Sequence, residues 1–353
     1  MAFGQRLMQR RRVRFLRLRV SLATVPGISA NWASAAPPDG AGAAQLSESD
    51  SVGANISSLV ARPRGAFRTE EGTVTDSVST GSGELQSSSN AVEATLQKPD
   101  VHKRWHDAFK TPANAPFYDL AFDHIVNVAG VPEGATFLDA GCGIGDYAVR
   151  LAKRGMRVVA VDFAENVLKM ARENVERSGL QDRIKIQHEN LLSLSFDDEM
   201  FDAVLCWGVL MHIPDVERAI AELARVVRRG GVVVISEGNM YSLEATLGWA
   251  LRRVLGTTRA EVRRPPAGRE YWATTSAGVL VTREADIHWL IARFEGAGFT
   301  LIRRVAGQFT ELYTRASSGV MQALLHRFNG VWFKYLKFPQ PAFGNLLMLR
   351  KRP

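Results

Sequence analysis

The stretch FLDAGCGIGDY, residues 137–147, decides the fold of this chain. An apolar run ends in an acid and is followed by glycine at alternate positions, namely Gly141, Gly143 and Gly145. Glycine has no Cβ, so the backbone can turn sharply and pass close to a ligand. The G-x-G-x-G spacing departs from the dinucleotide fingerprint, and no Lys follows as a phosphate P-loop requires. Taken alone, the glycines also fit a tight turn that binds nothing.

Apolar strands and amphipathic helices alternate on both sides of this loop. The predicted strands are ATFLDA, MRVVAVD, RIKIQH, FDAVLCW, GVVVISE, TLIRRVAG and FGNLLMLRKR, with helices between them. One helix, VERAIAELARVVRR, is predicted to end at Gly230 and Gly231. Repeated β–α units predict an α/β doubly wound sheet with helices on both faces. Ligands of such sheets lie beyond the carboxyl ends of the strands, where the glycine loop falls.

The charge of the chain is concentrated at its beginning. Of the formal net charge of +8, residues 1–38 carry +7, because they hold seven Arg and no acid. The remaining residues carry only +1, so we expect no nucleic acid as partner of the folded part. Three interpretations of residues 1–38 remain open: an organelle transit peptide, a bacterial extension without an address, or a membrane-surface segment. Localisation is accordingly predicted as cytoplasmic, or as mitochondrial or plastid if the segment is a transit peptide.

Composition divides the rest of the chain. Residues 39–97 are rich in Ser, Gly and Thr and poor in aromatics, which predicts a disordered linker. Residues 98–353 are predicted to form the folded domain, beginning with a helical lead-in that contains Trp105 and Phe122. Cys142 and Cys206 have no metal-ligand spacing and cannot form a disulfide scaffold, so no metal is predicted. The oligomeric state is left undetermined.

The motifs together resemble those of the class I S-adenosylmethionine-dependent methyltransferases. The resemblance rests on LDAGCGIG, VVAVDFAENVLKMA, the run 190–196, FDAVLCWGVLMHIPD and RGGVVVISE, which occur in the family's order. It implies a Rossmann-like sheet of seven strands with the last strand antiparallel, and S-adenosyl-L-methionine as cofactor. The branch it resembles most acts on small molecules, lipids or sugars.

The resemblance also implies roles for individual residues. Asp139 would face the cofactor's amino group, the glycines with Cys142 would line its methionine and ribose, and Asp162 would hold the ribose. An N-cap role for Asp162 is the alternative. The other implied cofactor residues are Phe163, Asn190, Leu191, Cys206 and Trp207.

The acceptor side is predicted less sharply. His212, just past the fourth strand, is the candidate general base, although it could equally serve the hydrogen bonding of its loop. Two long insertions, at about 239–283 and 306–342, are predicted to form a substrate cap. Within them Arg263, Arg264, Tyr271 and Trp272 are candidates for binding an amphiphilic acceptor, unless they only pack or face solvent.

The leading functional hypothesis is methyl transfer to a small-molecule or lipid-like acceptor, with peripheral membrane contact as a compatible feature. An RNA or protein methyltransferase is the alternative, and a non-catalytic nucleotide-binding module of the same fold is another. The near-neutral folded part and the CWGV sequence, in place of an [DN]-P-P-[FY] motif, argue against a nucleic-acid base as acceptor.

Overall fold

The computed structural model describes residues 79–255 and 260–353 of the chain. The predicted Arg-rich segment 1–38 lies outside the described residues, as does the predicted linker up to residue 78. No helix in the described ranges has the length and apolar character needed to cross a membrane.

A sheet of seven strands forms the centre of the fold. The strands are β1 (Thr136–Ala140), β2 (Arg157–Asp162), β3 (Ile184–His188), β4 (Phe201–Trp207), β5 (Val227–Gly238), β9 (Phe299–Ala306) and β10 (Gly344–Lys351). Their order is β3-β2-β1-β4-β5-β10-β9, and β10 runs antiparallel to both of its neighbours. The predicted doubly wound sheet with an antiparallel last strand is confirmed.

Helices cover both faces of this sheet. They include α3 (Ala115–Ala129), α4 (Asp146–Ala152), α5 (Glu165–Ser178), α6 (Val216–Val226) and α8 (Ile287–Gly296). On β1, Phe137 packs into one apolar layer and Leu138 into the other, and both are fully buried. A strand that is covered on both faces needs a continuous apolar run, which is why FDAVLCW and GVVVISE show no alternation.

One predicted helix boundary is wrong. The helix VERAIAELARVVRR was expected to reach Gly230, but α6 ends at Val226 and β5 begins at Val227. The β-branched side chains of Val226 and Val227 favour extended backbone, and pairing of Phe201 with Val227 starts the strand there.

The prediction of a disordered linker is wrong for residues 88–96, which are helical and include buried side chains. Residues Ser79–Leu96 form helix α1, and α2 (Pro99–Phe109) follows almost directly. Val92 and Leu96, one helical turn apart, are buried against Val101, Trp272 and Leu280. Two apolar side chains are enough to hold this helix in place because they pack on residues from a distant part of the chain. The composition of the linker does not reveal those partners.

The two insertions carry a second sheet and two further helices. The small antiparallel sheet consists of β6 (Glu261–Arg263), β7 (Gly268–Thr275) and β8 (Gly278–Ala285). The helices are α7 (Leu243–Leu255) and α9 (Gly319–Val331), the latter followed by a π-helical turn at Trp332–Leu336. Strand β8 packs between α1 and the short helix Leu210–His212 that follows β4, so the small sheet covers one side of the ligand-binding edge.

Candidate functional site

A cavity of about 290 Å³ opens at the carboxyl ends of β1, β2 and β4. Helices α1 and α2 and strand β8 form its other walls. Of the residues predicted for the cofactor, those that line the cavity are Gly141, Cys142, Gly143, Asp162, Phe163, Asn190, Leu191 and Trp207. Four of the five motifs therefore converge on one space, and the fifth, RGGVVVISE, does not line it.

The glycine loop approaches this space with its backbone. A Cβ on Gly141 would lie 2.6 Å from Val209 Cγ2, so glycine is required there by a neighbouring side chain. At Gly143 the nearest atom to such a Cβ is His102 Nδ1 at 3.9 Å, and the residue faces the cavity. Gly145 does not line the cavity, because it caps α4 and packs on Ala171 of α5.

Asp162 holds the glycine loop in place. Its Oδ2 accepts a hydrogen bond from the Gly143 amide at 3.0 Å, and its Oδ1 accepts one from the Ala164 amide at 3.1 Å. Helix α5 begins at Glu165 and its N-cap is Ala164, so the alternative N-cap role does not fall to Asp162. Each carboxylate oxygen keeps a further lone pair, and two such acceptors suit the two hydroxyls of a ribose.

Asn190 and Leu191 follow β3 at the same edge. Asn190 Oδ1 accepts a hydrogen bond from the Leu192 amide at 2.9 Å, which closes a local turn and presents the neighbouring Leu191 to the cavity. Asn190 is exposed, and the second lone pair of its amide oxygen and its NH₂ group are not used by this turn. Phe163, directly after β2, also lines the cavity, and its carbonyl accepts hydrogen bonds from His188 and Gln97.

Two buried groups of opposite charge lie beneath the glycine loop. Asp139 Oδ2 and Lys110 Nζ are both buried, and neither has a hydrogen-bond partner among the described residues. Burial raises the pKa of Asp139 to about 7 and lowers the pKa of Lys110 to about 7, while each charge favours the other. Asp139 lies behind the cavity wall, whereas Lys110 lines it.

Aromatic rings surround the end of the cavity next to Lys110. Its Nζ lies 3.0 Å from the ring centre of Tyr147 and 4.4 Å from that of Tyr118. Trp207, at the end of β4, packs on both tyrosines with ring centres 5.2 and 5.8 Å away. The side chains of Gln308 and Glu311 complete this part of the wall, and burial raises the pKa of Glu311 to about 8.

His212 lines the cavity and is held on two sides. Its Nδ1 donates to the carbonyl of Val281 on β8 at 2.8 Å, and its ring stacks on Trp105 with centres 4.6 Å apart. Burial lowers its pKa to about 4, so the imidazole is neutral near pH 7 and Nε2 is the nitrogen left as an acceptor. The neutral imidazole can accept a hydrogen bond from the hydroxyl of an acceptor and so orient it, but its low pKa makes it a weak base.

Some predicted site residues lie elsewhere. Cys206 is fully buried in the core layer that contains α6 and does not line the cavity. Trp272 packs under α1, and its Nε1 donates to Glu270. The Tyr271 hydroxyl accepts a hydrogen bond from Arg252 and donates one to Glu284.

Arg263 and Arg264 are also away from the cavity. Arg263 pairs with Glu261 and stacks over Trp272, while Arg264 lies over Trp249. Both are exposed on the small sheet. The expected binding of an acceptor anion by these arginines therefore has no support from their placement, because the aromatic rings they cover lie outside the cavity.

Sequence reasoning missed the residues that α1 and α2 contribute. Leu96, His102, Trp105, Phe109 and Lys110 all line the cavity. The aromatic composition of WHDAFK was the available signal, and it indicated only a helix, because nothing local specifies that Lys110 folds beneath the glycine loop. Tyr147, the last residue of FLDAGCGIGDY, also lines the cavity, and nothing in the sequence distinguishes it from an ordinary residue of helix α4.

Comparison with known proteins agrees with this geometry. Residues 138–235 match the model of a family described as a methyltransferase domain. The chain is 34% identical to phosphatidylethanolamine N-methyltransferase of Cereibacter sphaeroides over 146 residues, which are 36% of this chain and 71% of that protein. It is 32% identical to ubiquinone biosynthesis O-methyltransferase of Methylocella silvestris over 182 residues, 45% of this chain and 70% of that protein.

A further relative, methyltransferase GfsG of Streptomyces halstedii, is 29% identical over 47% of this chain. The chain spans 61% of the length of that relative. The chain belongs to the class I S-adenosylmethionine-dependent methyltransferases.

The described residues fit the cofactor of this family. S-adenosylmethionine carries a ribose, an adenine and a zwitterionic amino acid. Asp162 provides acceptors of the kind that a ribose requires, Phe163 and Leu191 provide apolar surface for a base, and Asp139 has a buried oxygen without a partner. An unpaired buried carboxylate costs stability unless a ligand satisfies it.

Proposed function

We propose that the protein transfers a methyl group from S-adenosylmethionine to a small-molecule or lipid-like acceptor. The observation that carries the proposal is the single cavity in which the ribose-type carboxylate Asp162 and an aromatic, largely apolar end around Trp207 are joined. A polymer-binding groove would instead be open and basic, whereas this cavity is enclosed by α1, α2 and β8.

We assign the amino-acid end of the cofactor to Asp139 and Lys110. The carboxylate is matched to an α-ammonium and the ammonium to an α-carboxylate, so a zwitterion in the cavity would pair with Lys110 directly and with Asp139, behind the wall, through a bridging water. Each charge favours the ionised form of the other, although burial has the larger effect on both pKa values.

The bound cofactor supplies a methyl group already activated by a sulfonium charge. The chain has to hold an acceptor atom in line with it and to exclude water, and positioning of this kind can provide much of the acceleration. Trp207, Tyr118 and Tyr147 provide rigid walls for an apolar acceptor, and neutral His212 provides a hydrogen-bond acceptor that orients a hydroxyl. His212 is proposed as an orienting group because burial opposes its protonation.

The names of two relatives support the class of acceptor. One is a phosphatidylethanolamine N-methyltransferase, whose name specifies a lipid acceptor, and the other is a ubiquinone biosynthesis O-methyltransferase, whose name specifies the synthesis of a quinone. The cavity of this chain suits an apolar acceptor, since Trp105, Phe109 and Leu280 line it.

Two experiments in sequence test the proposal. Calorimetry should detect binding of S-adenosylhomocysteine and none of NAD. A screen with methyl-labelled cofactor against lipid and metabolite extracts should then label an organic-soluble product. Binding of NAD in place of S-adenosylhomocysteine would contradict the cofactor assignment, and label found only in RNA or protein would contradict the acceptor class.

A further inference from the structure

Helices α7 and α9 show an inverted amphipathic pattern. A helix on a globular protein normally buries its apolar stripe and exposes polar residues. On α7 the buried side chains are Ala245 and Arg252. The exposed ones include Leu243, Leu247, Leu251, Val254 and Leu255, spaced three or four residues apart, which places them on one face.

Helix α9 repeats the inversion. Its buried side chains, His326 and Asn329, are polar. Its exposed apolar residues, at spacings of three, four and three, are Met321, Leu324, Phe328 and Val331, and Val320 is exposed beside them. Tyr335 and Phe338, just beyond, are more than 60% exposed. Exposed apolar surface of this extent marks an interaction site.

The charge around α9 indicates the nature of the partner. Residues 312–353 contain seven Lys or Arg and no Asp or Glu. Arg327, Lys334 and Lys337 are exposed next to the apolar residues. Apolar side chains bordered by cations are suited to an anionic lipid surface, where the former enter the acyl boundary and the latter meet headgroup phosphates.

The same charge argues against two other occupants. The N-terminal segment 1–38 of this chain is itself acid-free with seven Arg, so it would be repelled by the acid-free C-terminal part. A second copy pairing through α9 would bring two identical cationic segments together. An anionic bilayer complements both the apolar stripe and its charged border.

Both helices are tied to the segment that closes the cavity. Thr310 Oγ1 donates to Glu244 in the first turn of α7, and the Thr310 backbone is bonded twice by Asn329 of α9. Gln308 and Glu311, on either side of Thr310, line the cavity. Helices α7 and α9 are therefore both linked through Thr310 to Gln308 and Glu311 of the cavity wall.

We propose that the exposed faces of α7 and α9 form a docking surface for an anionic lipid bilayer, from which a lipid-like acceptor reaches the cavity beside residues 308–311. The route of the acceptor rests on the proposed function, whereas the docking does not, because it is a property of the outer faces and can be measured without a cofactor.

The test uses the full chain with a polarity-sensitive fluorophore on single introduced cysteines, since Cys142 and Cys206 are buried. Labels on Leu247→Cys and Leu324→Cys should shift to the blue with vesicles of phosphatidylcholine and phosphatidylglycerol, and a label on Glu176→Cys of α5 should not. Vesicle binding without a shift at 247 and 324 would place the contact elsewhere and overturn the proposal. A shift that depends on protein concentration without vesicles would overturn it in favour of a second copy.

A charge-matched pair of variants tests the apolar contact. Leu247→Glu with Leu324→Glu should weaken binding to these vesicles at least about tenfold relative to Thr246→Glu with Ala323→Glu. All four positions are exposed, so neither variant disturbs the core, and the net charge change is the same. Equal affinities of the two variants would show that only charge acts and would remove the apolar faces from the interface.

Discussion

The side-chain amide of Gln97 donates a hydrogen bond to the backbone carbonyl of Phe163, 3.0 Å away. Gln97 directly follows α1, and Phe163 directly follows β2 and lines the cavity. Helix α1 also buries Val92 and Leu96 against the small sheet. A segment whose composition suggests disorder is therefore part of the ligand-binding wall.

Removal of α1 should lower both stability and cofactor affinity. We expect a chain that begins at residue 98 to melt several degrees below one that begins at residue 79, because burial of Val92 and Leu96 is worth about 1.5–3 kcal/mol each. Its affinity for S-adenosylhomocysteine should also fall, since Leu96 lines the cavity. Differential scanning calorimetry and titration of the two truncations measure this, and identical values would show that α1 is dispensable.

Changes at Asp162 should lower cofactor affinity by amounts that follow the number of acceptor oxygens lost. We expect Asp162→Ala to weaken S-adenosylhomocysteine binding by about 1.5–3 kcal/mol, because the ribose loses its partner and the Gly143 amide loses its acceptor. Asp162→Asn keeps one acceptor and should lose less. Gly143→Val should abolish binding by filling the cavity, whereas unchanged calorimetric affinities in these variants would show that the site is misplaced.

The sequence predicts the cofactor half of this protein better than the acceptor half. The strands and the residues that follow them are encoded locally, as apolar runs ending in Asp139, Asp162 or Trp207, and parallel topology brings these ends to one edge. The cap is formed by long-range packing. Trp272 was predicted as an acceptor contact, but its burial under α1 depends on a helix 176 positions or more away in the sequence.

The charged candidates show the same limit. The prolines at 265 and 266 favour Arg263 and Arg264 as anion-binding candidates, whereas no local sequence signal marks Lys110. Only the fold distinguishes an Arg on an exposed edge strand from a Lys buried beneath the glycine loop.

His212 should act by orientation and not by proton removal. With its pKa lowered by burial to about 4, the imidazole is a weak base, so we expect His212→Asn to reduce kcat less than about tenfold, below the 10²–10⁴ typical of a general base. The pH–rate profile of the variant should keep the shape of the parent between pH 5 and 8. A loss of a hundredfold or more together with a lost acidic limb would assign catalysis to His212. The assay requires the acceptor that the labelled screen identifies.

Cofactor affinity should increase with pH up to about pH 7 through the ionisation of Asp139, a range in which Lys110 keeps its proton. Burial raises the pKa of this carboxyl to about 7 in the free protein, and only its ionised form attracts an α-ammonium. Below that pKa a proton must be lost on binding, so the affinity for S-adenosylhomocysteine should fall by up to about tenfold per pH unit. Between about pH 5.5 and 7.5 the ligand's own amine remains largely protonated. Asp139→Asn should bind more weakly at pH 7.5 and lose this pH dependence, and a parent affinity independent of pH would contradict the assignment.

Substitution of Lys110 should weaken binding of the cofactor's amino-acid moiety and leave binding of its nucleoside unchanged. Its Nζ is buried without a hydrogen-bond partner among the described residues, and the rings of Tyr118 and Tyr147 offer only their faces. We expect Lys110→Met to weaken S-adenosylhomocysteine binding about tenfold to a hundredfold, because a carboxylate loses its charged partner, while the affinity for adenosine stays unchanged. The same change should raise the melting temperature of the free protein, since it removes an unpaired buried amine without emptying its space. Calorimetric titration with both ligands, with Lys103→Met on the exposed side of α2 as the control, measures this difference. Equal losses for the two ligands would mean that Lys110 supports the fold of the cavity and does not bind the amino-acid end.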